Sequence, residues 1–123
     1  MAMHDSWNDQ QPIYRQLRDR VAASVLAGAF KEGESVPSVR QVSSEAKINH
    51  LTVSKAYQEL VDEGVLEVRR GRGMFVVAGA KQLLLAQEKQ KFIEQELPAL
   101  AARLQQLDIA PSQLLDLLKD SLS

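Results

Sequence analysis

The chain has 123 residues, 45% of them hydrophobic and 25% charged, with a formal net charge of −1 and no cysteine. That length accommodates one compact core plus a small appendage, and the lack of cysteine excludes disulfides and thiolate metal sites, which is compatible with a reducing compartment such as the cytoplasm. The longest leucine run, Leu83-Leu84-Leu85, is far too short to span a bilayer, and the polar, mixed-charge stretch Met1 to Gln10 lacks a signal-peptide core, so no membrane partner is expected.

After a frayed start, Gln11-Pro12 is expected to open a helix in which Ile13, Leu17, Val21 and Val25 recur every fourth residue, giving one apolar face with Arg15, Arg18 and Asp19 off it. Gly28 and Ala29 end that helix, and Lys31-Glu32-Gly33-Glu34 reads as a turn. Ser38 with Gln41 three residues on resembles a capping box, which predicts a short second helix from Val39 burying Val39, Val42 and Ala46. Asn49 is positioned as the N-cap of a third helix, whose core face is Val53, Ala56, Tyr57, Leu60 and Val61. At about 100° per residue, Leu51, Lys55, Gln58 and Asp62 lie roughly opposite that face, with Thr52 and Ser54 on its shoulders. Gly64 fits the stop position.

Val65 to Arg69 and Met74 to Val77 have the β-branched, apolar character of strands, and Arg70-Gly71-Arg72-Gly73 supplies the turn between them. From Ala80 the period changes again. Leu83, Ala86, Gln90, Ile93, Leu97, Leu100, Leu104 and Leu107 alternate steps of three and four, a heptad seam with one polar interruption. Pro98 inside that seam is expected to kink the helix or start a new one. Beyond a loop at Asp108 to Pro111, Ser112 is expected to cap a last amphipathic helix carrying Leu114, Leu115, Leu118 and Leu122.

Two short helices across a tight turn, then a hairpin with a basic, glycine-flexed tip, make the pattern of a winged helix-turn-helix, which inserts one helix into a DNA major groove and lays a loop beside it. The predicted fold is therefore α+β, mainly α. An N-terminal winged helix-turn-helix at residues 11–78 is followed by a small C-terminal helical dimerisation region at 79–123. Basic residues do not dominate either part, since residues 1–79 hold ten basic and ten acidic side chains and 80–123 five and six. The DNA signal is their clustering, with Arg69, Arg70 and Arg72 within four residues and Arg40, Lys47 and Lys55 upstream.

Arg40 can bridge a phosphate or read guanine bidentately, and Leu51 is placed to meet a thymine methyl. Thr52, Ser54 and Lys55 suit phosphates, as do Arg69 to Gly73 at the wing tip, where arginines flank glycines narrow enough for a minor groove. Ser38 and His50 complete the candidate interface at the two helix starts. Leu83, Ile93, Leu97, Leu100, Leu104 and Leu107, together with Leu114, Leu118 and Leu122, are the expected contacts between two copies.

These residues closely resemble the GntR family of bacterial transcription regulators. The likeness runs from Pro12 to Val77 and rests on Pro-Ile-Tyr at 12–14, Pro-Ser-x-Arg at 37–40, Thr-Val-Ser-Lys-Ala-Tyr at 52–57, Glu-Gly at 63–64 and Arg-Arg-Gly-Arg-Gly-x-Phe-Val at 69–76. A C-terminal region of only about forty residues is similar to that of the YtrA subfamily, which carries a minimal two-helix dimerisation domain. The resemblance implies DNA contact at Arg40, at Asn49 to Ser54 and at Arg70-Gly71. It also implies a homodimeric repressor on an inverted-repeat, double-stranded DNA operator. Two departures stand out: many relatives have glycine where this chain has Lys47, and others carry a basic or hydroxylated residue where it has Leu51.

Other classes fit less well. A nonspecific architectural DNA-binding protein would be expected to carry basic tails and a net positive charge. An enzyme would need more than His4 and His50, which have no cysteine or glycine-rich phosphate cradle beside them, so no catalytic residue, metal or cofactor is expected. No pattern assigns a small-molecule effector.

Overall fold

The computed structural model describes residues 7–123, and His4 with the remainder of the expected frayed start lies outside the described residues. The chain divides into two compact units, the first ending at Leu85 and the second beginning at Ala86. That division falls after the first turn of the fourth helix because Ala80 and Leu84 are buried in the core of the first unit.

Helix α1 (Ile13–Leu26) starts where Pro12 fixes the chain, its carbonyl accepting from the backbone N–H groups of Arg15 and Gln16 at 3.1 and 3.3 Å. Leu17, Val21 and Val25 are buried, whereas Ile13, expected on the same face, is exposed at the first turn. Residues 7–10 are not frayed. The Asn8 N–H donates to Gln16 Oε1 (3.0 Å), Gln16 Nε2 donates to the carbonyls of Asn8 (2.8 Å) and Gln11 (2.7 Å), and Trp7 packs against the core beneath the Arg20 guanidinium, 3.8 Å from its ring. Such one-to-one polar pairing leaves no periodic trace in a sequence.

Helix α2 (Val39–Ala46) has Ser38 as its N-cap, with Oγ accepting from the Gln41 N–H at 3.1 Å. Only half of the expected capping box forms, because the Gln41 side chain turns to Glu45 (3.3 Å). Val42 and Ala46 are fully buried and Val39 partly so. Helix α3 (His50–Asp62) is capped by Asn49, whose Oδ1 accepts from the Leu51 N–H at 2.8 Å. Its Val53, Ala56, Tyr57 and Leu60 are fully buried, with Val61 packed at the edge, and a left-handed Gly64 ends it (φ 84°). Arg18 of α1 clasps Glu63 beyond the end of α3 through two hydrogen bonds, one of them Nε to Oε2 at 2.9 Å. Arg15 pairs with Glu59 at 3.2 Å.

Strands β1 (Leu66–Arg69) and β2 (Gly73–Val76) pair antiparallel, with Leu66 opposite Val76, Glu67 opposite Phe75 and Arg69 opposite Gly73. Val65 and Val77, expected as strand ends, lie just outside the ladder. The turn at Lys31 to Glu34 does more than expected, because the chain leaving it lines β2: Val76 N–H donates to Glu34 O (3.0 Å) and Val36 N–H to Met74 O (3.0 Å). A bridge from Ser35 to Phe75 completes that third edge.

The second unit contains the end of helix α4 (Ala80–Lys91), a π-helical turn (Phe92–Glu96), α5 (Leu97–Gln106) and α6 (Pro111–Leu122). Pro98 neither breaks nor simply kinks the path. It has no N–H to donate, and the wider turn before it absorbs the gap, with the Leu97 N–H reaching back to Phe92 O. At α6 the expected cap is corrected: Ala110 is the N-cap and Pro111 the first helical residue, so Ser112 already lies inside the helix. Among the described residues from Ala86 onward none is buried.

Candidate nucleic-acid interface

The first turn of α3 is presented by a helix whose other side is locked into the core. Leu51 is 66% exposed there, as large an apolar side chain as that turn displays, while Thr52 and Ser54 are half-buried on the shoulders and Lys55 is exposed. Leu51, Thr52 and Lys55 line one concavity of about 450 Å³ with Pro12, Ile13 and Tyr14 from the start of α1. This explains the exposure of Ile13. The Lys55 ammonium lies over the Tyr14 ring at 4.0 Å from its centre, a cation–π contact that holds the long side chain in place.

Arg40 and His50 come together across the helix-turn-helix. With Val39, Ser43 and Ser44 they line a second concavity of about 570 Å³, so the start of α2 and the start of α3 share one wall. Ser38 and Asn49 stand at the two N-caps, their side-chain oxygens turned to backbone N–H groups as well as toward solvent. What fixes the spacing of these two helix starts is Tyr57: fully buried, it donates its hydroxyl to Pro37 O at 2.6 Å, tying the middle of α3 to the residue before the α2 cap. Burial raises the Tyr57 phenol well above its ordinary range. Hydrogen bonding to Glu63 raises the Arg18 guanidinium, reinforcing a charge pair that fastens α1 to the far end of α3.

The tight turn between α2 and α3 is made by Lys47 in the left-handed region (φ 56°, ψ 46°), the conformation for which glycine is the ordinary residue. Ser43 Oγ supports it by donating to Ile48 O at 2.5 Å.

At the wing, the Arg72 N–H closes a turn onto Arg69 O at 2.8 Å with Gly71 at φ 76°. The three arginines differ in their surroundings. Arg69 pairs with Glu67 at 3.0 Å and stacks over Phe75, Arg72 also lies over Phe75, and Arg70 is exposed at the tip. None of the wing residues lines either concavity. Sequence reasoning thus grouped Arg69 to Gly73 as one basic tip but missed Tyr14 and Phe75 as the rings beneath the cations. Both aromatics lie in the quoted motifs, and their pairing depends on distances that spacing does not encode. Among the described residues, no group of three His, Asp or Glu could hold a metal.

A model of the family described as bacterial regulatory proteins, gntR family, matches residues 13–76, the segment from the first turn of α1 to the end of β2. The chain is 39% identical over 89 residues to the HTH-type transcriptional repressor YtrA of Bacillus subtilis, an alignment covering 72% of this chain and 68% of that protein. It is 26% identical over 117 residues to the transcriptional regulator YhcF of the same organism, covering 95% of each. Among solved structures, a GntR-family transcriptional regulator from Bacteroides thetaiotaomicron superposes with a TM-score of 0.76 at 30% identity, over 90% of this chain and 96% of that one.

Proposed function

The chain belongs to the GntR family of bacterial regulatory proteins, whose members are DNA-binding transcription regulators rather than enzymes, and from that premise we propose that it is a homodimeric repressor acting at an inverted-repeat operator. Its likeness to a YtrA repressor supports the repressor assignment. The observation that carries the reading is the first turn of α3, where the large apolar Leu51 and the cation Lys55 are exposed on the side opposite the buried face of Val53, Ala56, Tyr57 and Leu60.

In this mechanism α3 enters the major groove. Leu51 offers an apolar contact to a thymine methyl, and Arg40 and His50 reach base edges or phosphate from the shared wall of α2 and α3. Thr52, Ser54 and Lys55, with the wing around Arg70-Gly71, hold the sugar-phosphate backbone, setting affinity and salt dependence without specifying sequence.

A second copy accounts for the other unit. Ile93, Leu97, Leu100, Leu107, Leu118 and Leu122 are all exposed, an apolar surface that a lone chain would leave in water. Pairing those helices places two recognition helices at a fixed half-site spacing. In this reading the DNA-binding domain spans 11–78 and the dimerisation region 79–123, whose first helical turns still belong to the first unit, with Ala80 and Leu84 in its core. A cytoplasmic location follows from that role.

Genomic footprinting of the full chain on chromosomal DNA of its own source organism tests the proposal. Protected sites sharing an inverted repeat are expected; protection spread without a shared sequence would refute it.

A further inference from the structure

The outer side of the wing carries a buried ring that the core does not account for. Side chains alternate across a strand, so with Leu66 and Val76 turned to the core, the pairing of Glu67 with Phe75 and of Arg69 with Gly73 sets these residues on the opposite face. Phe75 is nevertheless only 9% exposed, although it is not part of the core cluster. Guanidinium groups cover it: Arg69 lies 4.1 Å and Arg72 5.2 Å from the ring centre. Arg69 is also tied to Glu67, its Nε donating to Oε1 at 3.0 Å.

These contacts give the three wing arginines different chemistry. A guanidinium stacked on an aromatic face keeps its in-plane N–H groups free to donate, so Arg72 can rest on Phe75 and still grip a phosphate. Arg69 has given in-plane donors to a carboxylate, and a cation already neutralised releases few counterions when DNA arrives. Resting on the DNA-binding reading above, we propose that Phe75 is a positioning residue of the wing. It holds Arg72 for the sugar-phosphate backbone, Arg69 is already neutralised by Glu67, and the wing presents two cations to DNA, Arg70 and Arg72.

The test is the slope of log affinity against log salt for the full chain on a duplex carrying the footprinted operator. Each phosphate contact on duplex DNA contributes about 0.9 to that slope. Arg70→Gln and Arg72→Gln are each expected to flatten it by about 0.9, and Arg69→Gln to leave it unchanged. Phe75→Leu removes no charge, yet it should flatten the slope as Arg72→Gln does, and Phe75→Tyr should restore it. Loss of folded protein alone would lower the active fraction without moving the slope. The proposal is overturned if Arg69→Gln flattens the slope as much as Arg70→Gln, or if folded Phe75→Leu keeps the wild-type slope. Should Phe75→Leu fail to fold, Phe75→Met, which keeps apolar bulk but has no ring face, reads the same slope, and a wild-type slope in it overturns the proposal. A wild-type chain with no affinity for the operator duplex would instead overturn the DNA-binding reading itself.

Discussion

Replacing Lys47 by glycine should make the protein more stable. Lys47 closes α2 with φ 56° and ψ 46°, and its side chain is exposed, so its Cβ brings steric cost without packing in return. A left-handed conformation costs an L-residue about 1 to 2 kcal/mol. Glycine escapes that cost, but its freer unfolded chain gives back about 0.4 to 1 kcal/mol. The net gain for Lys47→Gly thus lies between about 0 and 1.6 kcal/mol, and the middle value of about 0.8 kcal/mol equals a rise in Tm of about 3 to 6 °C for a folding unit of this size. Lys47→Ala is the control, since alanine loses the charge but keeps the Cβ. Thermal and urea denaturation of the three proteins at one protein concentration would measure the differences, with concentration fixed because association adds to apparent stability. Glycine no more stable than alanine would refute the claim that this turn is strained. The charge is a separate matter: both variants should show the same weakening toward DNA, because both lose the cation.

Tyr57→Phe should cost about 0.5 to 1.5 kcal/mol in urea denaturation, because it removes the hydrogen bond that the buried hydroxyl donates to the half-buried Pro37 carbonyl. Burial raises the Tyr57 pKa, so the neutral phenol's contribution is complete below the unfolded value of 10.0 and is lost as pH rises from there toward the folded value; Tyr57→Phe should therefore remove part of the alkaline fall in stability, and an unchanged profile would count against it. Arg40→Ala should lower operator affinity by about 1 to 3 kcal/mol in a gel shift at unchanged Tm, and no loss would take Arg40 off the interface. For Leu51→Ala, the loss should be greater on an operator with thymine at the facing position than on one with uracil, since the methyl is the difference; equal losses would remove the methyl contact. Leu97→Lys with Leu100→Lys should give a monomer by sedimentation, with a folded winged-helix unit and little operator affinity, because like charges would face each other across the apolar seam. A double variant that stayed dimeric would move the interface, most directly to α6.

Much of the first unit was legible because its helices bury one side only. The spacing of Leu17, Val21 and Val25, and of Val53, Ala56, Tyr57 and Leu60, identifies the buried faces, and Ser38 and Asn49 mark helix starts by a local hydrogen bond that their own side chains provide. The missing pieces depend on partners distant in sequence. The third sheet edge at Ser35–Val36 is too short to alternate, and the Asn8–Gln16 clamp consists of two polar residues with no pattern around them. At the candidate interface, residue types showed which cations are present. They could not show that Lys55 rests on Tyr14, or that Arg69 is held by Glu67. In the C-terminal helices the seam was read from leucine spacing, but the same stripe does not tell that Leu84 rather than Leu83 enters the first core. Pro98 was legible as a disturbance. Its resolution as a π turn depends on how the preceding carbonyls are shared, which composition does not specify.

The most direct test of the central claim is the ratio of affinities of the full-length chain for a footprinted operator duplex and for a random duplex of equal length, measured by competition at one salt concentration. A sequence-specific regulator should prefer the operator by about 10³-fold or more at physiological ionic strength. A ratio near one, with both affinities falling equally as salt rises, would contradict the account and leave a protein that holds DNA by its backbone alone.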